Sequence, residues 1–351
     1  MHPVSILFLS LLVVIFAILL VVCGFVLYFQ RYDVPVEQQE LSDAFKQQKF
    51  DVVYLWVDGL DPEFQKRRFG SVKSASESCR YADNGELEYS VAMTRRYLGD
   101  MVNHTYIVTQ QQTPKWYDPE RDTDITIVDH RDIMGDLVTF QSGVIELFLH
   151  KIPGIGEWVL YFNDDIFVNQ PIDKEVLFYA DNKPRFMYDG WGISPLFANV
   201  MTLNQEPVAA SLRYTEKIYI RNHPEHKNKH HSLRSHGPLQ IHVPTLAKIA
   251  EANIEHVEET KTHTTRCNND FMILTYYLMY MVDNEKGAIG NNYPVRYVFI
   301  NNMTSTNRMQ MNRAFQDKNT YFICLNDSRT ANFEKTTKGI RDTLRDAYQS
   351  V

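Results

Sequence analysis

Asp164 and Asp165 end the apolar run WVLYFNDDIFV (158–168) and give the strongest local chemical signal in the chain. A hard divalent cation, Mg²⁺ or Mn²⁺, takes oxygen ligands, and one held here would bridge the phosphates of a nucleotide-sugar. The plainer account is a turn pair that caps the next segment. Asp58 follows DVVYLWV (51–57) and sits where a nucleotide would approach a strand end. Asp61-Pro62 beyond it reads as a helix start. Arg80, Asp83, Asn84 and Glu86 place one cation and three oxygen-bearing side chains within seven positions. They serve equally well as an N-cap with acids matched to a helix dipole. Arg266 precedes a helical stretch from about 268 to 281, with Asp270 in its first turn, and would add fixed positive charge on phosphate oxygens. His242 stands apart from the histidine run that begins at His223. Imidazole titrates near working pH, so His242 is the first candidate for a general base, with Asp58 and Asp83 as rivals.

The elements that must position these residues are legible from hydrophobic pattern. DVVYLWV, HTYIVT (104–109), DITIVDH (124–130) and WVLYFNDDIFV read as buried strands. Between them lie helical patterns, one opened by Asn84 with Leu87, Val91 and Tyr97 on its apolar face, and one between Thr139 and Lys151. Strands alternating with helices predict an α/β fold with a mostly parallel, Rossmann-like sheet. Ligands of such sheets bind beyond the carboxyl ends of strands, where Asp58, Thr109, Asp129 and Asp164-Asp165 all fall. Residues of about 170 to 265 read as an irregular, partly helical insertion or lid.

The 351 residues are 44% hydrophobic with a formal charge of −7, which excludes a largely disordered chain and disfavours nucleic acid as a partner. The six histidines from His223 to His242, mixed with Lys227, Lys229 and Arg234, match no zinc spacing; those from His223 to His231 read as a solvated basic loop or a phosphate-facing surface, and His236 and His242 stand apart from them. Cys79, Cys267 and Cys324 allow one disulfide or none. From Val4 to Phe29 the chain is apolar without Asp, Glu, Lys or Arg, long enough for the roughly 20 residues a membrane span needs. The expected division is a cytosolic tip (1–3), a transmembrane signal anchor (4–29), a Gln-rich stem (30–49) and a lumenal catalytic domain (50–351). That makes a single-pass type II protein of the Golgi or ER-Golgi membrane. Sequons at Asn103, Asn302 and Asn326 agree with a glycoprotein but arise readily by chance.

Taken together, these motifs resemble the Stealth family of hexose-1-phosphate transferases. DVVYLWVDGLDPEF (51–64) resembles its first conserved region. RYADNGELEYSVAMTRRYL (80–98), YIVTQQQTPKW (106–116), ITIVDHRDI (125–133) and 139–168 resemble the second. HGPLQIHVP (236–244) with TTRCNNDFMILTYYLMY (264–280) is a looser match to the third, and FICLND (322–327) to the fourth. The resemblance implies a sheet of the nucleotide-sugar transferase type. It also implies transfer of sugar-1-phosphate from a nucleotide-sugar, such as UDP-GlcNAc, to a hydroxyl of a glycan or glycoprotein, with release of nucleoside monophosphate. By position it places Asp58, Asp83, Asn84, Glu86, Asp164, Asp165, His242, Arg266 and Asp270 in active-site motifs, with Arg80, Asn326 and Asp327 on the donor side. The rival expectations are a metal-dependent glycosyltransferase that releases nucleoside diphosphate, and a non-catalytic Golgi protein that binds glycans.

Overall fold

A computed structural model describes residues 13–20, 36–71, 82–192, 207–229, 231–290, 295–300, 303–327 and 333–349. Its main sheet holds four parallel strands, β1 (Phe50–Leu55), β2 (Val102–Thr109), β3 (Ile125–Asp129) and β4 (Trp158–Asn163). A fifth, β10 (Leu239–His242), runs antiparallel along β4, and the spatial order is β10-β4-β1-β2-β3. β1 is covered on both faces, which is why it reads as an unbroken apolar run: Val52, Val53 and Tyr54 are fully buried. Each such side chain contributes about 1.5–3 kcal/mol. The chain builds outward from β1 through β2 to β3, then crosses back to lay β4 on the other side of β1. The order therefore reverses between β1 and β4, and a crevice opens at that switch point.

The turn Asp164-Asp165 carries the chain from β4 into β5 (Ile166–Val168), which leaves the main sheet for a second one. There β5 pairs antiparallel with β13 (Phe322–Asp327), itself parallel to β12 (Val295–Ile300). Cys324 lies opposite Ile166, so the end of β13 is delivered to the Asp164-Asp165 turn. Two small sheets complete the strands: β6 (Phe178–Ala180), β7 (Lys183–Phe186) and β11 (Ala288–Ile289) form one, β8 (Tyr188–Gly192) and β9 (Ser232–Arg234) the other.

The helices that frame the crevice are α1 (Pro62–Phe69), α2 (Glu86–Leu98), α3 (Ser142–Glu146), α4 (Pro207–Asn222), α5 (Val243–Ala252), α6 (Ile273–Asp283) and α7 (Phe333–Gln349). The Asp61 side chain caps α1 by accepting from the Phe64 N–H at 2.7 Å, with Pro62 at the first helical position. α7 buries Ile340 and Leu344, one helical turn apart, and packs on α2.

Several expectations need correction. Of the apolar run 4–29, only residues 13–20 are described, and they are helical. Among the described residues no helix is long and apolar enough to cross a membrane, so the transmembrane helix and membrane anchoring lack support. The rest of that run lies outside the described residues. The stem does not extend to residue 49: Leu41 and Phe45, four apart, are buried, and the Lys174 ammonium donates to the carbonyls of Phe45, Lys46 and Gln48. The span 170–265 is more than an insertion, because it supplies β10 to the main sheet. Finally, α6 begins at Ile273, so Asp270 precedes the helix.

Candidate active site

Beyond the ends of β1 and β4 lies a cavity of about 710 Å³. Asp164, Asp165, Glu86, Asn326 and Asp327 contribute to its acidic wall, and Arg68 and Arg266 also line it. Three chain segments far apart in sequence meet here because β4 turns into β5, β5 pairs with β13, and α2 packs against β5.

The acids are crowded and poorly hydrated, and their protonation follows. Burial, reinforced by Asp165, Asp83 and Asp327, lifts the Asp164 carboxyl well above the usual range. Burial raises Asp165 to about 6, although the Cys324 thiol (3.3 Å) and Asn326 donate to it. Asp327 also rises to about 6, mainly through burial. Glu86 goes well above its ordinary value by burial, with Asp83, Asp164 and Asp327 adding repulsion. Burial is the chief cause for Asp83 too. Asp165 Oδ1 is buried without a hydrogen-bond partner. A hard cation fits this donor set: it satisfies the orphaned oxygen and offsets the cost of burying several carboxylates together.

Asn84 is structural rather than open to ligand. It is buried, its Nδ2 donates to Glu86 Oε1 (2.8 Å) and Asp327 Oδ2 (3.2 Å), and its Oδ1 accepts from Thr337 (2.7 Å). It does not cap α2. That position belongs to Gly85 at φ 88°, in the left-handed region that glycine tolerates. Arg341 of α7 donates to the carbonyls of Asn84 (2.9 Å) and Asp83 (3.1 Å), so the C-terminal helix braces this turn. Asp58 is fixed differently: Gln112 holds its backbone N–H and C=O, its Oδ1 accepts from the Leu60 N–H, and Lys115 lies 3.8 Å from Oδ2.

Asp270 is likewise spoken for. Oδ1 pairs with His263 (2.7 Å), and Oδ2 accepts from Gln141 Nε2 (2.6 Å) and the Cys267 N–H (2.9 Å). It shapes the loop that presents Arg266, which lies in electrostatic range of Glu146. Arg80 and Cys79 lie outside the described residues.

His242 is the clearest departure. It ends an antiparallel strand and pairs with Trp158, the first residue of β4. Asp164 lies just past the other end of β4, about 20 Å away at the rise of a strand. The imidazole instead bonds Glu157 (3.0 Å) and Thr245 (2.7 Å) at the start of α5. It is removed as general base. His242→Gln is expected to keep transfer within a few-fold, where loss of a true general base costs roughly 10²–10⁴-fold; a loss of that size in steady-state turnover would restore the residue to the reaction.

The sequence reading missed His130. It opens a short helix after β3, lines the cavity and is buried, and burial drops its pKa to about 4. Its Nδ1 has no partner, so a neutral imidazole in the cavity wall keeps an open lone pair or N–H. The signal was a histidine directly after a strand-end aspartate, in DITIVDH.

Residues 80–186 match Stealth protein CR2, conserved region 2, and residues 48–68 match Stealth protein CR1, conserved region 1. A capsular polysaccharide phosphotransferase of Actinobacillus pleuropneumoniae is 30% identical over 71% of this chain and 69% of its own length. One from Neisseria meningitidis is 29% identical over 80% of this chain and 77% of its own. An exopolysaccharide phosphotransferase of Lactiplantibacillus plantarum is 27% identical over 84% of this chain and 93% of its own. These relatives are bacterial. Together with the lack of a spanning helix among the described residues, they leave the expected Golgi type II placement, signal anchor and glycoprotein character unsupported. Of the three sequons, Asn326 lines the cavity beside Asp165, and Asn302 lies outside the described residues.

Proposed function

Because this chain belongs to the Stealth family and is a phosphotransferase, we propose that it moves sugar-1-phosphate from a nucleotide-sugar to a glycan hydroxyl, releasing nucleoside monophosphate. The observation that carries this reading is the meeting of Asp164, Asp165 and Asp327 with Arg68 and Arg266 in one cavity at the switch point of the sheet. Carboxylates for a cation beside guanidinium forks for phosphate oxygens are what a pyrophosphate requires.

In this reading Asp164 and Asp165 would hold Mg²⁺ or Mn²⁺, which when bound would neutralise charge on the pyrophosphate and its leaving oxygen. Arg266 orients non-bridging oxygens of the phosphorus nearest the sugar. Asp83 does not line the cavity itself but lies in electrostatic range of Asp164, and would take the proton of the attacking hydroxyl, since a carboxyl raised by burial is a stronger base than an ordinary one. The acceptor oxygen bonds to phosphorus, the bond to the nucleoside monophosphate breaks, and no sugar C–O bond is touched. The product keeps the donor's anomeric configuration. The deciding experiment incubates the full chain with candidate nucleotide-sugars and a capsule-type glycan, with and without Mg²⁺ or Mn²⁺, and identifies the nucleotide released. Monophosphate is expected. Diphosphate, or an inverted product, would make the chain a glycosyltransferase instead.

The same carboxylates set a stability signature. Asp165 and Asp327 titrate near 6 when folded, above the ordinary carboxylate value, so the folded chain binds more protons between about pH 4 and 6. Metal-free stability from these groups therefore falls as pH rises through that window. Mg²⁺ binds the ionised form, so its stabilisation should be small at pH 5 and grow to about 2.7 kcal/mol at pH 7.5 with metal at a hundred times its Kd. Urea midpoints with and without Mg²⁺ at both pH values test this. An equal Mg²⁺ effect at pH 5 and 7.5 would argue against carboxylate ligands.

A further inference from the structure

The loop between the helix Ile254–Lys261 and α6 carries three metal-ligand types that the transfer reaction leaves unused. His263, Cys267 and Asp270 each present a ligand atom, and these atoms lie within 4.8 Å of one another. Among the described residues no other set of three His, Cys, Asp or Glu side chains meets that spacing. His263 Nδ1 and Asp270 Oδ1 are 2.7 Å apart, and the Cys267 N–H donates to the other Asp270 oxygen at 2.9 Å, which folds the loop back on itself. Cys267 is in no disulfide, and its thiol is half-buried and donates to the Thr265 carbonyl at 3.5 Å; the His263 ring is also half-buried while Asp270 is buried, so an ion can enter from solvent. A second observation points to a cation. Gln141 donates through Nε2 to Asp270 Oδ2, yet its Oε1 is buried with no partner. The corner has an acceptor to spare and no donor for it.

The geometry points to a zinc-class site formed by His263, Cys267 and Asp270. Sulfur, imidazole and a single carboxylate suit Zn²⁺ and its surrogate Co²⁺, whereas Mg²⁺ and Ca²⁺ prefer all-oxygen sets. Three protein ligands leave a fourth tetrahedral position for water. On binding, the Cys267 thiol releases its proton to solvent, and the ion displaces the hydrogen now shared by His263 and Asp270. Thr264, Thr265 and Arg266 lie between these ligands in sequence and line the cavity, so the ion clamps the loop that presents Arg266. This site is separate from the Asp164-Asp165 cation and does not depend on the donor chemistry.

The test is a Co²⁺ titration of the metal-stripped full chain, followed by competition with Zn²⁺. The expected result is a thiolate-to-cobalt absorption band that saturates at one equivalent and that Zn²⁺ abolishes, whatever further Co²⁺ binds at the acidic turn. Cys267→Ser should lose the band, and His263→Ala should weaken binding by on the order of tenfold or more. Asp165→Asn should keep the band, which separates this ion from one at the acidic turn. Absence of the band in the parent chain, or unchanged Co²⁺ affinity in both Cys267→Ser and His263→Ala, would overturn the proposal.

Discussion

Asp165→Asn is expected to lower phosphotransfer by on the order of 10²–10³-fold or more while leaving the metal-free protein at least as stable at pH 7.5. The two effects run in opposite directions for one reason. Burial holds the Asp165 carboxyl near 6, so its ionised form is costly to the folded chain at neutral pH, and Oδ1 has no partner to offset that cost. Asparagine keeps the shape, still accepts from Cys324 through one oxygen, and removes the charge. Folding no longer opposes ionisation, but the cation loses a ligand it needs. The measurement is turnover at saturating Mg²⁺ beside a urea midpoint without metal. Full turnover in the variant would remove the acidic turn from the chemistry. A variant both inactive and strongly destabilised would mean that Asp165 is structural.

Arg266→Ala should cost a comparable 10²–10³-fold in turnover, and Arg266→Lys should recover only part of it. A planar fork can grip two oxygens of one phosphate, whereas lysine offers a point charge. The loop that presents this side chain is tied down from both sides through Asp270, by Gln141 from one segment and by His263 and Cys267 within the loop. The alanine variant should therefore keep its fold, and circular dichroism melting checks that. Unchanged turnover in Arg266→Ala would place the phosphate elsewhere in the cavity, with Arg68 the next candidate.

Much of this was legible before any coordinates. The strands β1 to β4 coincide with the apolar runs that announce them to within two residues at their starts, because strands buried on both faces must be hydrophobic throughout. The Asp164-Asp165 turn was legible because two carboxylates at the end of such a run have no packing reason to be there. The acidic charge also gained meaning, since a folded wall of carboxylates favours a cation beside a phosphate-bearing ligand. Less of the N-terminal reading survived. Hydrophobic length alone argued for an anchor, but among the described residues no helix is long and apolar enough to cross a membrane. Leu41 and Phe45, inside what read as a stem, pack into the core.

Asn84, Asp270 and His242 mark where sequence reasoning stopped. All three are residue types that do chemistry, placed in motifs that carry it. Asn84 and Asp270 turned out to be filled with bonds inside the protein, and a residue's partners come from segments far away along the chain. Thr337 is 253 positions from Asn84, and Gln141 is 129 from Asp270. His242 shows the sharper limit. The amino-acid sequence by itself determined the residue types, the strands and which residues end them. Only the tertiary structure decided which strand ends share a side of the sheet. Hydrophobic pattern records that a strand is buried but carries no mark of its direction. β10 runs antiparallel to β4, so the end that holds His242 is the end farthest from Asp164. β13 belongs to another sheet entirely, yet its pairing with β5 brings Asp327 to the acidic turn.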